Sequence, residues 1–416
     1  MTPFLADLKA RDLLRQLTAE TGEPDFSARP TLYVGYDPSA ASLHAGSLLP
    51  LTAMDRFRRR GGQIIVLIGG ATGMIGDPSG KDQERTLESE ETIIERGKAL
   101  AKQVGAFFER TEGPAPLFLN NADFYRQMSV IDFLRDVGKN FSVNQMLQRE
   151  SVKGRIENRE QGISYTEFSY QVLQAYDFLH MFRHNGCTWQ MGATDQWGNI
   201  VSGVDLIRRA EAKPAHGLTL PLLTNSAGKK YGKSEKGAVW LDPELTSPYE
   251  FYQFWLNSAD DDVGRFLLWL TDFEADEIAA FTAEDPALRR PQRELAHWLT
   301  TRVHGNSAAE VAQSASEVMF YGRFDALDDE VAKALSATVP SMEPDGSNTV
   351  IDVLVTVGAA KSNSEARRLI SQNAVSANGV LCSDPFERIA DRMANLPALI
   401  VSVGKNRKYL MRRAGA

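Results

Sequence analysis

The chain is expected to fold as an α/β protein, with a parallel sheet flanked by helices, followed by a helical segment and a small α+β module. Three observations lead there. Thr31–Tyr36 and Gln63–Ile68 are short β-branched and aromatic runs, and between them Leu48 to Arg60 is apolar at helical spacing and stops at Gly61-Gly62. Strand, helix, strand in so short a span is a βαβ unit, which places two parallel strands in one sheet and a ligand beyond their carboxyl ends. Pro248 to Gly305 reads as helical and acidic, with Asp260-Asp261-Asp262, Glu274, Asp276 and Glu277. Finally, Val339 to Asn348 holds two prolines, a glycine and two serines, a boundary composition. Past it come a helix (Val350 to Val357), a second helix (Ser364 to Asn373), and a strand and turn (Ala374 to Val380).

Length and composition narrow the class. At 416 residues the chain calls for more than one core, at roughly 100–200 residues per domain. Its 43% hydrophobic and 24% charged residues are those of an ordinary globular protein without disordered bias. Asp7, Lys9, Arg11, Asp12 and Arg15 interrupt the N-terminal apolar residues, so a signal peptide is not expected, and no run is long enough to span a bilayer. A cytosolic protein is implied. Cys187 and Cys382 lie far apart, with no Cys or His at zinc-ligand spacing, which points to buried small apolar residues rather than a disulfide or structural zinc. The net charge of −8 is uneven: from Thr349 onward ten Lys or Arg face five Asp or Glu. A basic tail on an acidic body fits a protein that touches nucleic acid at selected places, and equally a solvated tail.

Further helices are expected at about Leu87 to Phe107, Val130 to Val137, Tyr165 to Phe182 and Asp195 to Ala212. Two Gly-rich turns follow the first two strands. Gly69 to Lys81 satisfies neither common phosphate-loop pattern: Ile75 stands at the first glycine of a Walker loop and Asp82 at its hydroxyl residue, while Ala71 occupies the second glycine of G-x-G-x-x-G. The other turn, Asp37 to Ser47, puts His44 and Gly46 near a helix start, where unpaired NH groups favour phosphate oxygens and an imidazole can donate to a pentacoordinate phosphorus. By itself it also fits a capped helix with an exposed histidine. Lys229 to Lys236 reads Lys-Lys-Tyr-Gly-Lys-Ser-Glu-Lys, with Lys230 and Lys233 around a glycine hinge. Mobile cations of this kind suit a leaving pyrophosphate that gains charge, although a solvated charge run has the same composition. Tyr170, Gln174 and Asp177, spaced i, i+4, i+7, share one helix face, either exposed or walling a polar pocket. Asp195 suits an N-cap, and Asp77, Lys81 and Arg85 a turn with a basic pair.

Taken in order, these blocks resemble bacterial tyrosyl-tRNA synthetases, class I aminoacyl-tRNA synthetases. The likeness rests on Tyr33–Pro38, Gly69–Lys81, Gly162–Tyr170, Gln174–Asp177 and Asp195–Asn199, and runs from near the N-terminus to the end. It implies a Rossmann-like catalytic domain at 1–245 with a mobile loop at 229–236, a helical anticodon-stem domain at 246–340, and an S4-like RNA-binding domain at 349–416. It implies a catalytic set of His44, Lys230, Lys233, Ser234, Lys81 and Arg85. Tyr33 and Asp177 would meet the phenolic hydroxyl of tyrosine, Tyr170, Gln174 and Asp77 its ammonium, and Gln196 the amino acid and developing adenylate. Gly35, Asp37, His44, Gly46, Ser47, Asp195, Lys230 and Lys233 would line the ATP site, while Arg367, Arg368, Lys405, Arg407 and Lys408 would meet tRNA phosphates.

The implied reaction uses tyrosine, Mg-ATP and tRNA(Tyr), with no bound organic cofactor, no structural zinc and no editing domain. A homodimer is implied too, with much of its contact between about Asn120 and Gln161. Three positions depart from the pattern: Ser47 stands at the second signature histidine, Val34 at a site polar in some relatives, and Pro50 within the first helical turns, where a missing NH costs little. A tryptophan-specific relative and a non-catalytic RNA-binding paralogue are the alternatives. Tyr33 and Asp177 argue against the first, and the retained Lys230, Lys233 and His44 against the second.

Overall fold

The computed structural model describes residues 2–19, 21–79, 88–149, 152–153, 156, 162–234, 237–394 and 396–413, except for the side chains of 233 and 234. They divide into two compact units: Met1–Asp242 with Gly264–Ala280, and Pro243–Val263 with Phe281–Ala416.

The first unit holds a six-stranded sheet made of β1 (Gln16–Leu17), β2 (Thr31–Tyr36), β3 (Gln63–Ile68), β4 (Leu117–Asn120), β5 (Cys187–Ala193) and β6 (His216–Leu220), in the order β1-β6-β5-β2-β3-β4. Every neighbouring pair is parallel except β1 with β6. The expected βαβ unit is present, with the Leu48–Arg59 helix between β2 and β3. Both strands are buried along nearly their whole length, as sheets covered on both faces require. The chain moves outward from β2 through β3 to β4, then restarts at β5 on the other side of β2 and continues to β6. Progress therefore reverses between β2 and β5, and the carboxyl ends of these strands part there into a crevice.

Helices cover the sheet where their ends are chemically defined. Tyr165–Asn185 begins at Ser164, whose side chain accepts from the Glu167 amide at 3.2 Å, and ends on Gly186 at φ 62. Its Ala175, Phe178, Leu179 and Met181 share a core with Tyr33, Ile65 and Leu67. The Leu48–Arg59 helix carries Pro50 in its first turn, and Arg56 and Arg58 near its other end are buried. Arg56 donates to the Thr271 carbonyl and lies 3.5 Å from Asp7, and Arg11 donates to Phe273 O at 2.9 Å. These buried guanidinium groups need those acceptors, since an uncompensated buried charge costs several kcal/mol, ~3–5 for a broken pair. They thus tie Gly264–Ala280 into the first unit.

Three strands of this sheet go beyond the sequence reading: β1, β4 and β6, whose two, four and five residues are too short for a periodic signal. The Asp195 cap is also corrected. Asp195 sits inside the 3-10 turn Thr194–Gln196, and the helix proper starts at Trp197 without a side-chain cap.

The second unit contains the acidic helical segment apart from Gly264–Ala280, led by Pro248–Leu256 with a Ser247–Glu250 capping box and Pro248 in its first turn. Arg290–His304, Asn306–Ser316 and Asp329–Ser336 follow. Its last part packs the helices Val350–Thr356 and Asn363–Ser371 on a five-stranded sheet, around Val353, Leu354, Ile370, Val401 and Met411. The hairpin Ala398–Val403 and Arg407–Arg412 dominates that sheet. Ser341–Met342, within the proline-rich stretch, joins it in parallel with the last strand. Cys187 and Cys382 are both buried thiols. Among the described residues no helix is long and apolar enough to cross a membrane.

Candidate active site

A cavity of about 310 Å³ opens at the β2/β5 crevice. β2 supplies Tyr33, Val34 and Gly35, the following turn Asp37, His44 and Ser47, the Tyr165–Asn185 helix Tyr170, Gln174 and Asp177, and β5 with its turn Gln190 and Gln196. Asp77 joins from the second glycine turn. The i, i+4, i+7 face of the helix is therefore a pocket wall, and its Tyr170 and Asp177 are buried.

Four buried polar atoms in this cavity have no hydrogen-bond partner: Tyr33 Oη, Asp177 Oδ1, Gln174 Oε1 and Gln190 Oε1. Such an atom costs about 1–3 kcal/mol, so a cluster of them marks a place where a ligand supplies the partners. Asp177 is fully enclosed, and burial pushes its carboxyl well above the usual range; Asp37 adds to the rise, while the hydrogen bond from Asn121 and the nearby Tyr125 phenol, whose proton goes to Leu173 O at 2.7 Å, oppose it. Burial also raises the Tyr33 phenol, with Asp177 and Cys187 contributing, so Tyr33 keeps its proton and can donate it. Asn121 Nδ2 donates to Asp177 Oδ2 at 3.1 Å and to Thr72 Oγ1 at 2.9 Å, while Asn121 Oδ1 accepts from the Ala71 amide at 2.7 Å.

Three carboxylates face this cavity, Asp37, Asp77 and Asp177, which makes it a site for a cation as well as a hydroxyl. Tyr170 Oη donates to Asp37 Oδ2 at 2.8 Å, and Thr72 Oγ1 donates to Asp37 Oδ1 at 2.7 Å. Gln196 Nε2 donates to Asp77 Oδ2 at 2.6 Å, and the Ser79 amide to Asp77 Oδ1 at 2.9 Å. Both carboxylates are thereby held in place before any ligand arrives.

A second cavity, of about 290 Å³, shares His44, Ser47, Pro50 and Ala193 with the first and adds Gly46, Asp195, Lys230 and Tyr231. His44 Nδ1 accepts from the Gly46 amide at 3.0 Å, so the neutral ring carries its proton on Nε2. A Cβ on Gly46 would stand 2.7 Å from the imidazole, so any larger residue there would displace the ring. Asp195 is raised by burial and by Asp77, against the opposing pull of Lys230. The Lys-rich loop leans on the same turn: Gly232, at φ 117, has room for a Cβ only 3.2 Å from the Gly46 nitrogen.

Of the expected site residues, Tyr33, Gly35, Asp37, His44, Ser47, Asp77, Tyr170, Gln174, Asp177 and Gln196 line the first cavity, and His44, Gly46, Ser47, Asp195 and Lys230 the second. Lys81 and Arg85 lie outside the described residues, as do the side chains of Lys233 and Ser234, whose backbone forms a short strand paired with Gly237–Ala238. In the second unit Arg367, Arg368, Lys405 and Arg407 are exposed. Lys408 is half-buried and donates to the Met319 carbonyl. Thr72, Asn121 and Gln190 were missed by sequence reasoning. Gln190 faces Tyr33 across the β2–β5 register, and its one signal in the sequence is a glutamine within the strand-like run Thr188-Trp189-Gln190-Met191.

The raised Asp177 carboxyl has a consequence for stability. A group whose folded value lies above its unfolded one stabilises fully below the ordinary value of 3.8, and that contribution is lost as pH rises through the folded value. Apart from a constant offset, Asp177→Asn should therefore gain stability over the ligand-free wild type as pH rises from about 4 toward 8. Urea unfolding across that range measures the difference, and a flat line would mean that Asp177 ionises without penalty.

Comparison with known proteins agrees with this geometry. Residues 27–321 match the family described as tRNA synthetases class I (W and Y), and residues 330–411 the tyrosine–tRNA ligase SYY-like C-terminal domain. The chain is 45% identical over 399 residues to the tyrosine–tRNA ligase of Roseiflexus castenholzii, covering 94% of each. It is 46% identical over 390 residues to tyrosine–tRNA ligase 1 of Bacillus subtilis, covering 91% of this chain and 92% of that one. Among solved structures, a C-terminally truncated mitochondrial tyrosyl-tRNA synthetase of Aspergillus nidulans superposes with a TM-score of 0.68 at 28% identity, over 77% of this chain and 95% of that one. With its nearly full-length likeness to curated relatives, and a crevice at the sheet's switch point lined by orphaned polar atoms, the chain belongs to the tyrosine–tRNA ligase family of class I tRNA synthetases.

Proposed function

We propose that the chain activates L-tyrosine with ATP and transfers it to tRNA(Tyr). The observation that carries this reading is the pair of unpartnered groups at the closed end of the cavity. Tyr33 Oη is a donor and Asp177 Oδ1 an acceptor, so one phenolic hydroxyl completes both. The tyrosine ammonium would then sit among Asp77, Tyr170 and Gln174, whose Oε1 awaits a donor. Its carboxylate would point toward Gln196 and the second cavity.

In the first step a tyrosine carboxylate oxygen bonds to the α-phosphorus of ATP while the bond to the β-phosphate oxygen breaks, giving tyrosyl-adenylate and pyrophosphate. In the second, the terminal ribose hydroxyl of tRNA attacks the activated carbonyl, and AMP leaves with the bonding electrons. No side chain acts as a covalent nucleophile. Positioning and charge stabilisation carry both steps, through His44 Nε2, Lys230, Lys233 and, on the family's pattern, Lys81 and Arg85. Magnesium enters this reading as part of the substrate Mg-ATP.

Arg367, Arg368, Lys405, Arg407 and Lys408 would meet tRNA phosphates, in a cytoplasmic enzyme. Lys408 contributes least, because its ammonium is turned onto Met319. The chain would act as a homodimer; in support, Val130, Ile131, Leu134 and Val143 are apolar side chains exposed by 72%, 69%, 48% and 58%, more than a soluble surface ordinarily clusters.

Tyrosine-dependent ATP–pyrophosphate exchange, with tryptophan and phenylalanine as competitors, tests the first step. Exchange driven best by tryptophan would favour the other branch of the family, and tRNA binding without exchange a non-catalytic role. For tRNA, Arg367→Ala and Arg368→Ala should each flatten the slope of log K against log salt by about one unit at most, leaving exchange intact. An unchanged slope would remove that residue from the interface.

A further inference from the structure

We propose that Gln103 is a positioning residue that couples the His44 turn to the return strand of the Lys-rich loop, so that the nucleotide-side groups move and settle as one body. The inference rests on the function proposed above and extends it to a residue outside both cavities.

Gln103 lies on the Glu90–Glu109 helix, and its amide reaches two segments far apart in sequence. Oε1 accepts from the Leu43 amide at 3.0 Å and lies 3.1 Å from Ser42 Oγ. Nε2 donates to Asp242 Oδ2 at 3.3 Å. The orientation is determined by these partners: a flipped amide would set NH₂ against the Leu43 NH and oxygen against a carboxylate. Ser42 Oγ closes the ring by accepting from the Asp242 amide at 3.2 Å.

The two segments so joined also pair through their backbones. Leu241 N donates to Leu43 O at 2.8 Å, His44 bridges Trp240 in antiparallel fashion, and Ala45 N donates to Val239 O at 2.8 Å. Val239 N in turn donates to Gly232 O at 2.9 Å, one residue before Lys233. A continuous hydrogen-bonded path therefore runs from the Gln103 amide through the signature histidine's turn to the glycine hinge of the loop. The phenol end of the cavity, at Tyr33, Asp177 and Gln190, has no member in this path. Gln103 should therefore govern the transition-state side of the site and leave tyrosine selection alone.

The test uses full-length protein and the Gln103→Leu variant, which keeps the side-chain bulk and deletes both polar contacts. Amide hydrogen exchange should quicken at least about tenfold at Leu43, Ala45 and Leu241, and stay unchanged in β2 and in the Tyr165–Asn185 helix. In ATP–pyrophosphate exchange kcat should fall about 10–100-fold, the scale of a misplacement near 1 Å, with the KM for tyrosine within about twofold. Ser42→Ala should act in the same direction, and the double variant should be no worse than about the poorer single one, because both sit on one node. General quickening of amide exchange across the sheet, with kcat and tyrosine KM both impaired, would reduce Gln103 to a fold-stabilising residue and overturn the proposal. So would unaltered exchange at Leu241 and Ala45. Should the wild type itself show no tyrosine-dependent activity, the functional reading fails while the amide measurements still decide the coupling.

Discussion

Replacing Asp177 with alanine is expected to lower the preference for tyrosine over phenylalanine, taken as the ratio of kcat/KM values, by about 5-fold to 150-fold, the share of one buried orphan at about 1–3 kcal/mol. When phenylalanine occupies the wild-type cavity, Tyr33 Oη and Asp177 Oδ1 both stay unpaired in a dry environment. At about 1–3 kcal/mol for each buried orphan, that is a penalty of roughly 2–6 kcal/mol, or about 30-fold to 10⁴-fold. A site that bonds a substrate hydroxyl rejects the analogue without it for this reason, and enzymes of this family are the standard illustration of the rule. Alanine at 177 erases the larger share, because a buried carboxylate is costlier to strand than a phenol. Phenylalanine activation should hold or improve while tyrosine activation falls. Steady-state exchange with each amino acid measures the ratio, and a ratio left at its wild-type value would assign the phenolic end of the substrate elsewhere. Asn121 will lose one acceptor in the variant, so its contacts to Thr72 Oγ1 at 2.9 Å and from the Ala71 amide at 2.7 Å become the restraints on that side chain.

His44→Ala is expected to slow adenylate formation by about 10²–10³-fold, the loss typical when one preorganised donor to a developing charge is removed. The dissociation constant for tyrosine should change by no more than about threefold, since His44 belongs to the shared wall with the nucleotide-side cavity and not to the phenol end. Alanine also frees the Gly46 amide that His44 Nδ1 now accepts, so capping and catalysis are lost together. His44→Asn separates them. Asparagine can cap the turn without extending a ring NH toward the phosphates. Single-turnover measurement should find the Asn variant nearly as slow as Ala; recovery of most of the rate would make the imidazole a structural cap and nothing more.

Much of this architecture was legible in the residues, and what escaped did so for physical reasons. The strands at Thr31 and Gln63 announced themselves through β-branched runs closed by glycine or aspartate, and the spacing of Tyr170, Gln174 and Asp177 alone placed them on one face. That the face looks into a cavity was not decidable, because exposure depends on what packs opposite. Asn121, Thr72 and Gln190 carry no motif; their importance arises from β3 and β4 lying on one side of β2 and β5 on the other, which only the strand order reveals. Gly264–Ala280 was read with the acidic helices on composition, whereas Arg11 and Arg56 claim its carbonyls for the first unit. Composition reports charge, not the address at which a chain segment docks.

The reversal of strand order between β2 and β5 has a consequence for biosynthesis. Tyr33 and Gln190 stand opposite each other in register, yet one emerges from the ribosome long before the other. A nascent chain can pair β2 with β3 and β4 early, but half of the amino-acid pocket stays unmade until β5 inserts beside β2. Such non-local pairing is the slow kind of contact to form. Substrate amino acid present during translation therefore cannot template the early stages of folding, and any stabilisation it lends must come after the central strands have met.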